Sequence, residues 1–281
     1  MIKLIKSNFS RLWKSKIFWL GMIFMFGMGI YAVISRYTEV NKKPEYSYDM
    51  EDLLFSGCMF MIVIAAVFIG LFIGTDYHNG TIRNKLIVGH TRTEVYFSNF
   101  IVCISALLMM HFAYFIPVIG VGFPLVGNSA SAGSLIKLTL ISIATLISLC
   151  SIFLLISMLI HSKSNASVTA IIISVLFLLS AMMIQNKLDG PEYYEDYDYV
   201  YTDEEGTIHE EHIDREKNYD YVDGTKRKVY EFLYDFLPGC QMLQITQQNP
   251  ENPERLPIYS FSIIVVTTAC GIFFFRRKNL K

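Results

Sequence analysis

The sequence predicts an all-α polytopic membrane protein: six transmembrane helices, an N-terminal amphipathic interfacial helix, and a small α+β extracellular insertion before the last span. Three observations predict it. Hydrophobic residues make up 53% of the chain and charged residues 17%, with a mean hydropathy of +0.39, on the apolar side of a soluble domain. The apolar residues come in long blocks, and six of these meet the length of about 20 residues that crosses a bilayer. The net charge of −1 conceals a segregation, with Lys and Arg at both ends and in one short connection, and Asp and Glu in two others.

Residues 1–16 place Ile2, Ile5, Phe9, Leu12 and Trp13 at helical spacing, with Lys3, Lys6, Arg11 and Lys14 mostly off that face. Such a helix lies in the inner interface as a basic anchor for anionic membrane lipid. Positive charge precedes the first apolar run, but no small-residue cleavage site follows, so the segment is expected to be retained. The spans are expected at 17–35, 53–75, 95–125, 135–160, 166–186 and 258–275, so that residues 17–186 hold the first five. The third and fourth runs exceed a single crossing, and in the third Pro117 and Pro124 either break or kink it near its outer end or allow a short re-entrant piece.

Orientation follows from the basic residues near the span ends. Lys3, Lys6, Arg11, Lys14 and Lys16 precede the first span without an acid, and Arg276, Arg277, Lys278 and Lys281 follow the last. Both termini are therefore expected in the cytoplasm, as an even number of spans requires, with 258–281 comprising the last helix and a basic cytoplasmic tail. The connection at 76–94 carries Arg83, Lys85 and Arg92 against Asp76 and Glu94, whereas 36–52 and 187–257 are acidic and face outward.

The outer segment at 187–257 is long enough to fold as an acidic domain. Tyr193, Tyr197, Tyr199 and Tyr201 share one parity, while Glu192, Asp196 and Asp198 share the other, as in a strand with one aromatic face. Asp203-Glu-Glu-Gly206 reads as the turn into a second strand. Val229, Phe232, Leu233, Phe236 and Leu237 then mark an amphipathic helix, started near Gly224-Thr225 and stopped by Pro238-Gly239.

The stretch at 74–100 is the most informative. Thr81, after Gly80, can cap a helix of about two turns from Ile82 to Val88, which Gly89 ends. Thr91-Arg92-Thr93-Glu94 is a capping-box pattern that starts the next helix. The result is a short rigid lever on the inner surface. Positive-inside charge alone explains Arg83, Lys85 and Arg92, but not the glycines and caps.

Gly74-Thr75-Asp76-Tyr77, followed by Asn79-Gly80-Thr81-Ile82-Arg83-Asn84, then Gly89-His90-Thr91-Arg92 and Tyr96, resembles the cytoplasmic signature of type 2 ATP-binding-cassette (ABC) transporter permeases. The resemblance extends to the amphipathic N-terminal helix, the six spans and a polar insertion before the last one. It implies that 81–88 is a coupling helix seated in a groove of a cytoplasmic ABC ATPase, and that two six-span units, a second copy or a related permease, face each other around a path. Carried over as ATPase-coupling contacts are Asp76 at the hinge from the second span, Tyr77, Gly80, Thr81, Arg83, Asn84 and Arg92. ATP and magnesium would sit on the partner subunit, with no cofactor on this chain. The insertion of about 70 residues departs from many members, so their substrates are not carried over.

Several chemistries find no support. The chain has no G-x-x-x-x-G-K-[ST] loop to cradle phosphates. His209-Glu-Glu-His212 has its second histidine one residue early for a zinc-protease motif and reads as a charged turn. His111 and His161 have no acid or nucleophile at a fixed spacing, and Ser148, Ser151 and Ser157 read as helix-packing residues. Span centres lack the acid or lysine that an ion-coupled carrier needs, Lys137 lying near an end. Cys58, Cys103, Cys150 and Cys270 fall in apolar runs and Cys240 in a polar region, with no metal-binding spacing. Nothing points to nucleic acid. The expectation is a non-enzymatic permease subunit of the bacterial plasma membrane, exporting an amphiphilic or peptide-like substrate for antimicrobial efflux or self-protection. The alternative is a membrane sensor or scaffold whose outer domain binds a ligand.

Overall fold

A computed structural model describes residues 1–42, 50–126, 131–202 and 208–278. A short amphipathic helix, α1 (Ile2–Trp13), leads into the first long apolar helix, α2 (Lys16–Lys42). The second span is α3 (Met50–Phe55) followed by α4 (Cys58–His78), with the break at Ser56-Gly57. A short α5 (Thr81–Ile87) joins it to α6 (Arg92–Pro117). Then come α8 (Ala132–Leu159), α9 (Lys163–Asp189) and α12 (Arg255–Arg277), so that six helical stretches are long and apolar enough to cross a membrane. Each continues beyond the apolar run that marks it in the sequence, because helical hydrogen bonds do not end where hydrocarbon does.

The third run does not break at Pro117. One widened turn, a π-helix at Val118–Gly122, follows the proline, and helix resumes as α7 (Phe123–Val126).

The buried centre is formed by α4, α6 and α8, while α2, α9 and α12 keep broad apolar faces outward. In the bundle α4 packs against α8 and α9, and α8 against α12. Close approach of α4 to α9 depends on Gly70 and Gly74: a Cβ on Gly70 would lie 2.8 Å from the Ser167 backbone, and one on Gly74 2.9 Å from that of Lys163. Ser148 and Ser151 turn their hydroxyls onto carbonyls of their own helix, Thr145 and Ser148 (each 2.7 Å), while buried Ser157 only packs. His111 is buried with Nε2 3.1 Å from the Ser142 hydroxyl.

Between α9 and α12 lie two small antiparallel pairs and two helices. Strand β1 (Tyr193–Tyr194) pairs with β4 (Glu216–Lys217), and β2 (Tyr197–Thr202) with β3 (Ile208–Ile213), in the register Tyr197 to Ile213 and Tyr201 to His209. The expected turn at 203–206 lies outside the described residues. His209 to His212 belongs to β3 and not to a charged turn: cross-strand pairing takes up its backbone, and His212 Nδ1 sits 2.6 Å from Asp198. Helix α10 (Gly224–Phe236) keeps Val229 and Phe232 outward and stacks Phe232 on Phe236.

Pro238-Gly239 stops α10 but also starts another helix, α11 (Pro238–Thr246), since the first turn needs no N–H from proline. It presses into α9, where a Cβ on Gly239 would come within 2.5 Å of the Phe177 carbonyl oxygen. Its Gln241 is fully buried: Oε1 accepts from the Thr145 and Ser260 hydroxyls (2.9 and 2.7 Å), and Nε2 donates to the Asp235 and Leu256 carbonyls. One amide thus ties α8, α10 and α12 together. Cys240, in a polar stretch of sequence, is buried beside it.

Candidate functional site

The ends of α4, α8 and α12 and the starts of α6 and α9 meet at one end of the bundle, around α5. This helix has no side-chain cap. Gly80, not Thr81, is the N-cap, at φ +66, and its carbonyl receives the Asn84 N–H; Thr81 is the first helical residue. A left-handed residue there turns the chain sharply out of α4, which a side chain would resist. At the other end Gly89, at φ +101, is the left-handed residue of a Schellman motif, in which the Gly89 N–H donates to the Leu86 carbonyl and the His90 N–H to that of Lys85. Then Thr91 and Glu94 close a reciprocal capping box (3.2 and 3.0 Å) at the start of α6. Between α4 and α6 no residue is left slack.

The inner face of α5 carries Ile82, which is buried, and Lys85; the outer face carries Arg83, Asn84, Ile87 and Val88. Ile87 and Val88 are 71% and 79% exposed, an unusual placement for aliphatic side chains on a polar connection.

Under α5 lies a cluster of charge. Asp76, 1% exposed, pairs with Arg11 of α1 and with Lys85 Nζ (3.1 Å). Lys85 also donates to Asn8 Oδ1 (2.8 Å), and Asn8 Nδ2 donates to Ser98 Oγ and Asn99 Oδ1 on α6 (3.0 Å each). The Arg11 guanidinium rests 3.9 Å over the Phe72 ring. Burial, with the Arg11 charge beside it, pushes the Lys85 ammonium down to about 7. A single carboxylate thereby binds α1, α4 and α5 together, and Asn8 extends the network to α6.

Residues 4–181, more than half of the chain, match the family described as ABC-2 family transporter protein. The chain belongs to that family. No curated protein matches it. As an ABC-2 permease it is a membrane component with transmembrane helices, and membership implies association with an ABC ATPase that carries the ATP on a separate subunit. The matched span runs from α1 into α9 and takes in the whole of α5 and its polar cluster.

Within the permease, the seven residues singled out from the sequence divide into two groups. Gly80, Thr81, Arg83 and Asn84 sit on or at the start of α5, the last two with exposed side chains. Asp76, Tyr77 and Arg92 turn inward. Tyr77 donates its hydroxyl to the Met158 carbonyl at the end of α8, which also receives Lys278 Nζ (2.9 Å). Arg92 Nη1 donates to the Phe275 and Arg276 carbonyls (2.8 and 3.0 Å) and to that of Lys278, capping α12. The α1 face is also rotated from expectation: Leu4, Asn8 and Leu12 are buried, whereas Ile2 and Trp13 are exposed. Asn8, Arg11, Lys85, Ile87 and Val88 were not singled out as site residues, although the Leu4-Asn8-Leu12 spacing places a polar residue inside an apolar stripe.

Proposed function

We propose that α5 is the coupling helix of this permease: the ATPase binds its outer face, and the polar cluster beneath passes the displacement to α1, α4 and α6. The observation that carries this reading is the two-sided character of α5. Its outer face offers Ile87 and Val88 for burial with Arg83 and Asn84 for polar contact, and its inner face is bound through Lys85 to α1 and α4. A helix so held moves as a body with the spans, whereas a loop would dissipate the motion.

On this reading α1, α5 and both termini are cytoplasmic, in accord with the basic residues at that end. The acidic segment between α9 and α12 is extracellular, and residues 1–16 lie as an interfacial helix against lipid. Two copies, or this chain and a related permease, form the path in the bacterial plasma membrane, and the substrate exported is amphiphilic or peptide-like. The acidic aromatic outer segment supports that substrate class, since it attracts cationic amphiphiles.

The test is Arg83→Glu with Asn84→Ala, made in the permease co-purified with its ATPase in lipid nanodiscs. Both side chains are exposed, so insertion and thermal stability should be unchanged, while transport falls at least tenfold and substrate no longer alters ATP hydrolysis. Normal transport by the double variant would remove α5 from the mechanism. Hydrolysis indifferent to the unmodified permease would favour the sensor or scaffold.

A further inference from the structure

The hairpin formed by β2 and β3 stands at the opposite end of the bundle from α5, because α9 runs from Lys163 beside α4 to Asp189 before it. All six residues of β2 are exposed. A two-stranded hairpin open to water is marginal by itself, so its stability favours something that covers a face. Alternation and register place Tyr197, Tyr199 and Tyr201 on one face with His209 and Ile213 opposite. The Tyr199 and Tyr201 rings stack at 5.6 Å, and His209 stacks on Tyr201 at 5.1 Å. The result is a row of flat π-faces.

Charge narrows the occupant. Residues 192–217 contain eleven acidic residues against two basic ones, Arg215 and Lys217. A second hairpin or an anionic lipid surface would meet like charge. The segment already displays one binding mode of the opposite sign: the Arg215 guanidinium lies 4.4 Å over the Tyr193 ring.

We propose that the Tyr197–Tyr199–Tyr201 face docks the Arg or Lys side chains of a cationic peptide, the rings taking the cations and the surrounding carboxylates drawing them in. This deepens the export reading, and rests on it for the placement of the hairpin outside the cell. The binding event itself needs neither the ATPase nor α5.

The experiment uses the full chain in zwitterionic nanodiscs without ATPase, with fluorescent nona-arginine as probe and nona-glutamate as control, read by anisotropy. Tyr199→Leu/Tyr201→Leu keeps apolar bulk without the π-faces, and Tyr199→Phe/Tyr201→Phe keeps the π-faces without the hydroxyls. The leucine pair should bind nona-arginine about five- to thirtyfold more weakly, the range for two exposed cation–π contacts, and the phenylalanine pair within about threefold of the unmodified chain. Leucine variants that bind as the unmodified chain does, equal losses in both pairs, or no binding of nona-arginine at all would each overturn the proposal. Arg83→Glu/Asn84→Ala should bind the probe normally, so a failed coupling experiment leaves this result standing.

Discussion

Asp76→Ala is the sharpest perturbation of the polar cluster. The carboxylate is 1% exposed, and removing it leaves Lys85, with 9% of its side chain exposed, and Arg11, with 25%, without their anion. Removing one partner of a buried pair costs about 3–5 kcal/mol, because the remaining charge is neither hydrated nor paired. The partial exposure of Arg11 places this site at the lower end, about 3 kcal/mol, which is on the order of a hundredfold in an equilibrium constant. That energy holds α1 and α5 to the ends of α4 and α6, so the loss should appear as local opening of those two helices. Hydrogen exchange by mass spectrometry in nanodiscs reads it directly: protection of 2–13 and 81–87 should fall about a hundredfold, while the middle of α4 and α8 stays protected. Replacing all three charges together, as Arg11→Met/Asp76→Leu/Lys85→Met, should restore protection to within about tenfold, since no orphan charge remains. Protection in Asp76→Ala within about threefold of the parent would refute the claim that this carboxylate organises the site.

Two further outcomes concern the far end of the bundle. Gly239→Ala drives a methyl to 2.5 Å from the Phe177 carbonyl oxygen, so it should destabilise by about 1–3 kcal/mol and lower the thermal midpoint, whereas Gly27→Ala, with open space around it, should not. Asp198, 2.6 Å from His212 Nδ1, raises the histidine above its ordinary value. The stability this contributes is therefore full below about pH 6.5 and lost as pH rises through the raised value. Exchange protection of β2 and β3, corrected for intrinsic rate, should be greater at about pH 5.5 than at about pH 8, and Asp198→Asn should reduce the difference to the smaller part that Asp214 and Asp196 contribute.

Six spans, the short helix and the capping box were all legible in the sequence, for reasons local to each. A block of apolar residues needs no partner to be recognised as a span, and Thr91 and Glu94 satisfy each other within four residues. What was not legible depends on distant residues. Asp76 and Arg92 look like surface contacts in a polar connection, but their partners are Arg11 and the carbonyls near residue 275. In α11, Gln241 and Gln244 make the segment appear solvated, and only the bundle supplies the buried hydroxyls and carbonyls that satisfy Gln241 and the Tyr234 carbonyl that receives Gln244 Nε2. Ile87 and Val88 passed as the end of a helix because their exposure emerges only when Lys85 and Ile82 claim the inner face.

The Arg92 clamp has a consequence for the order in which the molecule is made. The start of α6 is synthesised early and is closed at once by its own capping box, but the carbonyls that Arg92 holds begin 183 residues later. Until α12 has been inserted, that guanidinium has no α12 carbonyls to bind, and the last turn of α12 has no cation to cap it. Insertion of the last helix and closure of the Arg92 clamp at the start of α6 are therefore one event, and a chain halted before α12 would carry that end of the bundle unfinished.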